Sequence, residues 1–318
     1  MISLIRTHYD GIGMDISAPT RFYTLDVLST LAFGRPFGFM AANKDLWDYD
    51  AETSRYHLLL EWVVNYKPFR RLFQSRLMQA LAGPKQTDKT GMGPVLAFAH
   101  KAVAERFGEK PAVVKNDMLG HFVAQGLSQL QCEVEAQLQI VAGSDSTTTV
   151  LRSTLYTLVG TPSAYHKLQA ELDAADISHP VITHAEAQRL PYLQACVWEG
   201  LRLYPPFSGL TSKLSPGETF KGVMYPEGTE VGVSFRAMCR RKDIFGDDAE
   251  LFRPERWIEA GLEERVRLRQ CVDAVFGSGR FLCLGRHIAM MELGKALAEV
   301  SDPSLLSSLT SFGLSKIY

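Results

Sequence analysis

The chain is sparing with cysteine, five in 318 residues, and has almost no imbalance of charge, 34 Lys and Arg against 35 Asp and Glu. The cysteines, Cys132, Cys196, Cys239, Cys271 and Cys283, are odd in number and include no Cys-x-x-Cys pair. That pattern argues against both a disulfide framework and a cysteine-rich zinc site, and it fits reduced thiols on a cytosol-facing chain. A net charge of -1 supplies no field to hold a nucleic acid, so a small-molecule partner is expected. No window offers the run of about 18 to 20 apolar residues needed to span a bilayer, and the opening MISLIRTHYDGIGMD lacks a signal-peptide core. Internal repeats and low-complexity tracts are absent as well. What is present, 46% hydrophobic and 22% charged residues, is the composition of a globular protein with a substantial core.

Gly and Pro clusters separate long helical patterns from a short-strand region. Phe22, Leu25, Leu28 and Leu31 recur at helical spacing, and Phe33-Gly34 through Phe37-Gly38 closes that element. A second helical stretch is expected over 54–81, and one unusually long helix over 117–158. Thr161-Pro162 reads as an N-cap and first turn, and Thr183 with Glu186 as a capping box. A helix is expected over 192–204, and another from just beyond Cys283 to about Val300. Between them, Phe220 to Met224 and Glu230 to Val233, separated by Pro226-Glu227-Gly228, look like hairpin strands. The expected architecture is mainly α with a small β region, with no boundary that divides it.

Three motifs carry chemistry. FGSGRFLCLG, Phe276 to Gly285, places a cysteine in a glycine-rich loop just before a helix, where backbone N–H groups and the positive end of the helix dipole favour a thiolate. Gly279 permits a tight loop, and Gly285 lets the helix approach a flat ligand with no Cβ in the way. A lone cysteine can equally be a small buried hydrophobe. EGLR, Glu199 to Arg202, puts a carboxylate and a guanidinium on one helical face, which in isolation is no more than a surface pair. It is followed by Tyr204-Pro205-Pro206 and then by FRPERW, Phe252 to Trp257. AGSDST, Ala142 to Thr147, interrupts a long helix with glycine and crowded hydroxyls; a simple kink explains the bend, but not the acid at Asp145.

Taken together and in this order, the motifs resemble those of the cytochrome P450 family. The cysteine loop is similar to Phe-x-x-Gly-x-(Arg or His)-x-Cys-x-Gly, departing at Phe281, where the family has a basic residue and this chain has Arg280 one position earlier. The resemblance implies Cys283 as axial ligand of haem b iron, Phe276 beside the sulfur, and Gly279, Arg280, Gly285 and Lys213 around the cofactor. It implies a structural network of Glu199, Arg202 and Arg256. It also implies a proton relay at Asp145, Ser146 and Thr147, with Ser146 where the family usually has threonine. Arg21 to Phe39 resembles a helix of fungal members and is assigned to packing.

The activity so implied is haem-thiolate monooxygenation, one oxygen atom of O2 entering an apolar small molecule of secondary metabolism, with electrons from NADPH-cytochrome P450 reductase. Substrate contacts would come from Gln137, Ile140, Val141, Phe207, Gly209 and Leu210, and Arg240, Arg241 and Arg286 could meet a reductase. By family layout the chain corresponds to the C-terminal two-thirds of one domain, lacking the anchor and early helices at one end and the closing strands at the other. The endoplasmic reticulum membrane, cytosolic face, is the expected location of the full-length member. A haem-thiolate isomerase or peroxide-using relative, and a non-catalytic remnant, remain open alternatives.

Overall fold

Helices dominate the residues that the structure, a computed structural model, describes: 1, 4–5, 7, 15–108, 116–207 and 210–301. The chain divides into two compact units, Arg21–Ser144 with Met1, and Ile2–Thr20 with Asp145–Tyr318. Among the described residues, no helix is long and apolar enough to cross a membrane.

The first unit is organised around α1 (Ser17–Phe33), whose apolar positions Phe22, Leu25 and Leu28 are all buried. Gly34 takes a positive φ of 71° and ends the helix. Buried Asp26 then accepts backbone N–H bonds from Gly38, Phe39 and Met40 at 2.8, 3.1 and 2.9 Å, fixing the entry to α2 (Phe39–Ala42). Phe37 and Phe39 pack edge-on to Trp47, and Phe37 does the same to Phe98, so the aromatic run of this segment is core, as assigned from sequence.

The helical stretch expected over 54–81 is three helices: α3 (Tyr49–Asn65), α4 (Lys67–Phe73) and α5 (Arg76–Ala82). Tyr66 is extended, Pro68 sits in the first turn of α4, and the Ser75 hydroxyl caps α5 by accepting from Met78 N. After α6 (Met92–Phe107), the single long helix expected over 117–158 is also divided, into α7 (Met118–Ala124) and α8 (Gln129–Val159). Gly126 at φ 81° makes that break, and Asp117 caps α7 by accepting from Gly120 N at 2.8 Å.

Through the AGSDST segment, by contrast, α8 is uninterrupted, which corrects the expected helix break. The hydroxyls bond back one turn instead of competing with the ladder: Ser144 Oγ donates to Ile140 O at 2.8 Å, and Thr149 Oγ1 to Asp145 O at 2.9 Å. Gly143 has a packing reason, because a Cβ there would stand 3.0 Å from Leu28 Cδ2.

In the second unit, α9 (Pro162–Ala174) starts at its proline. Thr161 is its N-cap residue, as expected, but the side chain makes no cap hydrogen bond; its hydroxyl donates to Thr157 O at 2.9 Å. The Thr183–Glu186 capping box is formed at α10 (His184–Gln188). The centre of this unit is α11 (Pro191–Leu203), buried from Ala195 through Leu203. Strand β1 (Leu210–Leu214) pairs antiparallel with β4 (Glu230–Ser234), and β2 (Glu218–Phe220) with β3 (Val223–Tyr225). The two strands read as one hairpin therefore belong to different ladders. The tight turn is at Lys221-Gly222, both at positive φ, 49° and 78°, which suits the twist of a two-residue hairpin. Short helices α12 (Phe235–Met238), α13 (Lys242–Phe245) and α14 (Arg256–Glu259) lead to α15 (Leu262–Asp273) and α16 (Arg286–Val300).

Candidate functional site

The scaffold of the site is the Glu199 carboxylate on α11. It accepts from Arg202 Nε and Nη2 at 2.9 and 2.8 Å, from Arg256 Nε at 2.9 Å, from the Arg253 backbone N–H at 2.9 Å and from Trp257 Nε1 at 2.9 Å. Glu199 and Arg202 have no exposed surface and Arg256 only 3%. The remaining guanidinium donors reach backbone carbonyls: Arg202 bonds to Cys239, Ala249 and Leu251, and Arg256 to Phe245 and Asp248. A planar fork with five donors can saturate such a carboxylate and its surrounding loops at once. The structure thus brings Glu199, Arg202 and Arg256 together. Trp257 and the Arg253 amide were missed from sequence, although Trp257 ends the FRPERW segment next to Arg256.

The cysteine loop hangs from α15. Short turns Ala274–Phe276 and Gly279–Phe281 are separated by Gly277 at φ 77°, and the Cys283 N–H donates to Phe276 O at 2.7 Å. Gly279 has φ 55°, as a tight loop requires. Gly277 is the stricter position and was not foreseen: a Cβ there would meet Phe281 O at 2.4 Å. Gly285 is the N-cap residue of α16, and a Cβ on it would touch nothing nearer than Cys283 Sγ at 3.8 Å.

Of the five cysteines, only Cys283 is exposed. Its thiol is flanked by apolar side chains that also face water, Phe281 at 51%, Leu282 at 48% and Leu284 at 97%. On the same loop the Phe281 ring carries two cations, Lys213 Nζ of β1 at 3.5 Å and the Arg280 guanidinium at 4.8 Å from its centroid. Arg286 lies over Phe276 at 5.8 Å and pairs with Asp273 at 2.6 Å.

A family model described as Cytochrome P450 matches residues 3–300. The chain belongs to the cytochrome P450 family. It is 41% identical over 298 residues to "Cytochrome P450 monooxygenase ABA1" of Pyricularia oryzae, an alignment covering 90% of this chain and 57% of that protein. To "Cytochrome P450 monooxygenase aba1" of Botryotinia fuckeliana it is 37% identical, with the same coverages of 90% and 57%. To "Cytochrome P450 monooxygenase abl1" of Leptosphaeria maculans it is 35% identical, with 94% of this chain and 54% of that protein covered. The chain therefore spans a little over half the length of the curated relatives it matches.

The P450 family implies a haem-thiolate iron cofactor, and the residues present fit one. An exposed thiol framed by exposed apolar side chains, with Gly285 at its edge and cations beside Phe281, offers a flat apolar macrocycle a ligand, a surface and partners for its carboxylates. Among the described residues, no group of three or more His, Cys, Asp or Glu could hold a metal ion. A porphyrin iron requires only one such side chain, because the macrocycle supplies the rest.

The residues expected to form a proton relay lie on α8, with Asp145 and Ser146 half-buried and Thr147 buried. Of the expected substrate contacts, Val141 and Phe207 are exposed and Gln137 is half-buried. Ile140 is wholly buried, Gly209 lies outside the described residues, and Leu210 opens β1. The arginines expected to face a reductase all have acidic partners on the chain itself: Arg240 with Glu250, Arg241 with Asp243 and Arg286 with Asp273.

Proposed function

We propose that this P450 chain carries the haem-thiolate half of a monooxygenase that inserts one atom of O2 into an apolar small molecule of secondary metabolism. The observation that supports this reading best is the exposed Cys283 thiol at the mouth of α16, set in an apolar collar. Residues 1–318 are read as a single, partial P450 domain, and the full-length protein is placed at the cytosolic face of the endoplasmic reticulum. Its electrons come from NADPH-cytochrome P450 reductase.

When bound, haem b supplies the redox chemistry of dioxygen. The chain's own side chains hold and tune it. Cys283, exposed at the mouth of α16, would supply the sulfur that holds the iron. Arg280 and Lys213, each over the Phe281 ring, would neutralise haem carboxylates, while Phe276, Gly279 and Gly285 shape the loop. Glu199, Arg202 and Arg256 keep the framework rigid and touch no substrate. Asp145 would relay protons, and the hydroxyls of Ser146 and Thr147 would orient them.

The test is the absorbance of the haem-reconstituted, reduced and carbon-monoxide-bound protein. A thiolate-type Soret band that disappears in Cys283→Ala is expected. A colourless chain, or a band that survives the substitution, would overturn the assignment and leave a non-catalytic remnant as the better reading. Product formed with peroxide but none with reductase and NADPH would favour the peroxide-using class.

A further inference from the structure

The Phe281 ring, 51% exposed, carries two cations that come from different elements. Lys213 Nζ, on β1, stands 3.5 Å from the ring centroid, and the Arg280 guanidinium, on the cysteine loop itself, 4.8 Å. Arg286, just past the loop, is neutralised by Asp273 at 2.6 Å. Among the described residues, by contrast, no carboxylate pairs with Lys213 or with Arg280. Two like charges gathered at one ring repel each other; the negative face of the aromatic offsets part of that cost, and an anion shared by both offsets more.

Both sides of this contact are held by backbone. The Phe281 N–H donates to Ser278 O at 3.1 Å, and its carbonyl lies so close to Gly277 that a Cβ there would stand 2.4 Å from it. Lys213 is placed by the β1–β4 ladder, opposite Val231. A lysine stem left in water samples many rotamers, and ordering it only when an anion arrives costs up to roughly 2 kcal/mol. Docking on the ring meets that cost beforehand. The cysteine-loop pattern has a basic side chain at the position of Phe281; in this chain the charge comes instead from Lys213 and Arg280, and the ring is what collects them.

We propose that Phe281 is a positioning residue for the cofactor: its ring gathers Lys213 and Arg280 into one preformed site for the haem carboxylates. The proposal rests on the haem-thiolate reading for its ligand, but not for the cation–ring contact, which exists in the chain before haem arrives.

Two measurements on the full chain test it. In the haem-free protein labelled with carbon-13 lysine, the Lys213 ε-methylene resonance, assigned by its loss in Lys213→Met, is expected upfield of the other lysines through the ring current. The displacement persists in Phe281→Tyr and vanishes in Phe281→Leu. In the haem-loaded protein, transfer of haem to excess apomyoglobin is expected to be roughly three- to tenfold faster in Phe281→Leu and in Lys213→Met than in the parent. Phe281→Tyr stays close to the parent, and the Phe281→Leu, Lys213→Met double variant is no faster than Phe281→Leu alone. Haem dimethyl ester, which lacks the carboxylates, should leave the parent and Phe281→Leu at the same rate. A Lys213 resonance that Phe281→Leu leaves in place, equal haem release from the parent and Phe281→Leu, or the same acceleration for the ester overturns the proposal. A thiolate-type Soret band in both proteins then leaves the functional reading standing. A parent that takes up no haem overturns that reading, and the role given to Phe281 with it.

Discussion

Glu199 and Arg202, one turn apart on α11, are joined by two hydrogen bonds of 2.9 and 2.8 Å with neither side chain reaching water. Truncating one partner strands the other as a buried charge, so Glu199→Ala and Arg202→Ala should each cost about 3–5 kcal/mol of stability. Arg202→Lys should restore little, since an ammonium cannot hold a carboxylate and three carbonyls together. Urea unfolding of the three variants measures this, and the Glu199→Ala, Arg202→Ala double variant should lose less than the sum of the singles.

Two helical glycines should respond oppositely to alanine. At Gly200 a Cβ would overlap Thr154 Oγ1 at 1.8 Å, so Gly200→Ala is expected to destabilise by about 1–3 kcal/mol, with partial relief from Thr154→Ala. At Gly294 the nearest atoms are 3.6 Å away, an ordinary contact, so Gly294→Ala should be neutral or stabilise by about 0.5–1 kcal/mol. Thermal unfolding midpoints separate the two outcomes.

Glu292 on α16 is 4% exposed, and burial pushes its carboxyl up from 4.5 to about 8. A raised folded-state value means that the folded chain binds the proton more tightly than the unfolded one. Its contribution is complete below pH 4.5 and is lost as pH rises toward 8. Glu292→Gln should therefore gain stability with increasing pH relative to the parent, reaching a few kcal/mol above pH 8, and should match it at pH 4. Denaturant titrations across that window read the slope directly.

Ser146 keeps a hydroxyl at the position proposed for the proton relay but lacks the β-branch that restrains a threonine. In the proposed enzyme, Ser146→Thr should lower the peroxide released per product formed, measured with reductase, NADPH and substrate. An unchanged ratio would count against a steering role for this hydroxyl.

The parts legible from sequence were those in which a residue type has a single sharp demand. The Thr183–Glu186 box, the start of α9 at Pro162, the glycine at Gly279 and the helix after Cys283 all follow from local chemistry. The Glu-x-x-Arg pair alone was ambiguous; only its following FRPERW segment pointed to burial, and Trp257 as a further donor to Glu199 depends on a contact 58 residues away in sequence. The expected break in α8 failed for a similar reason, because neither the approach of Leu28 to Gly143 nor the hydroxyl bonds to preceding carbonyls can be read from spacing. Strand pairing was misassigned because a proline-glycine turn marks a reversal without saying which neighbour the strand joins.

Leu284, with Leu282 and Phe281 beside it in the loop, turns apolar side chains outward. Seating a porphyrin there would hide that grease as well as supply a metal, and by mass action the pigment would then act as a folding ligand. Yield and monodispersity of the recombinant polypeptide should accordingly track the host's porphyrin supply, improving when a haem precursor is fed during expression.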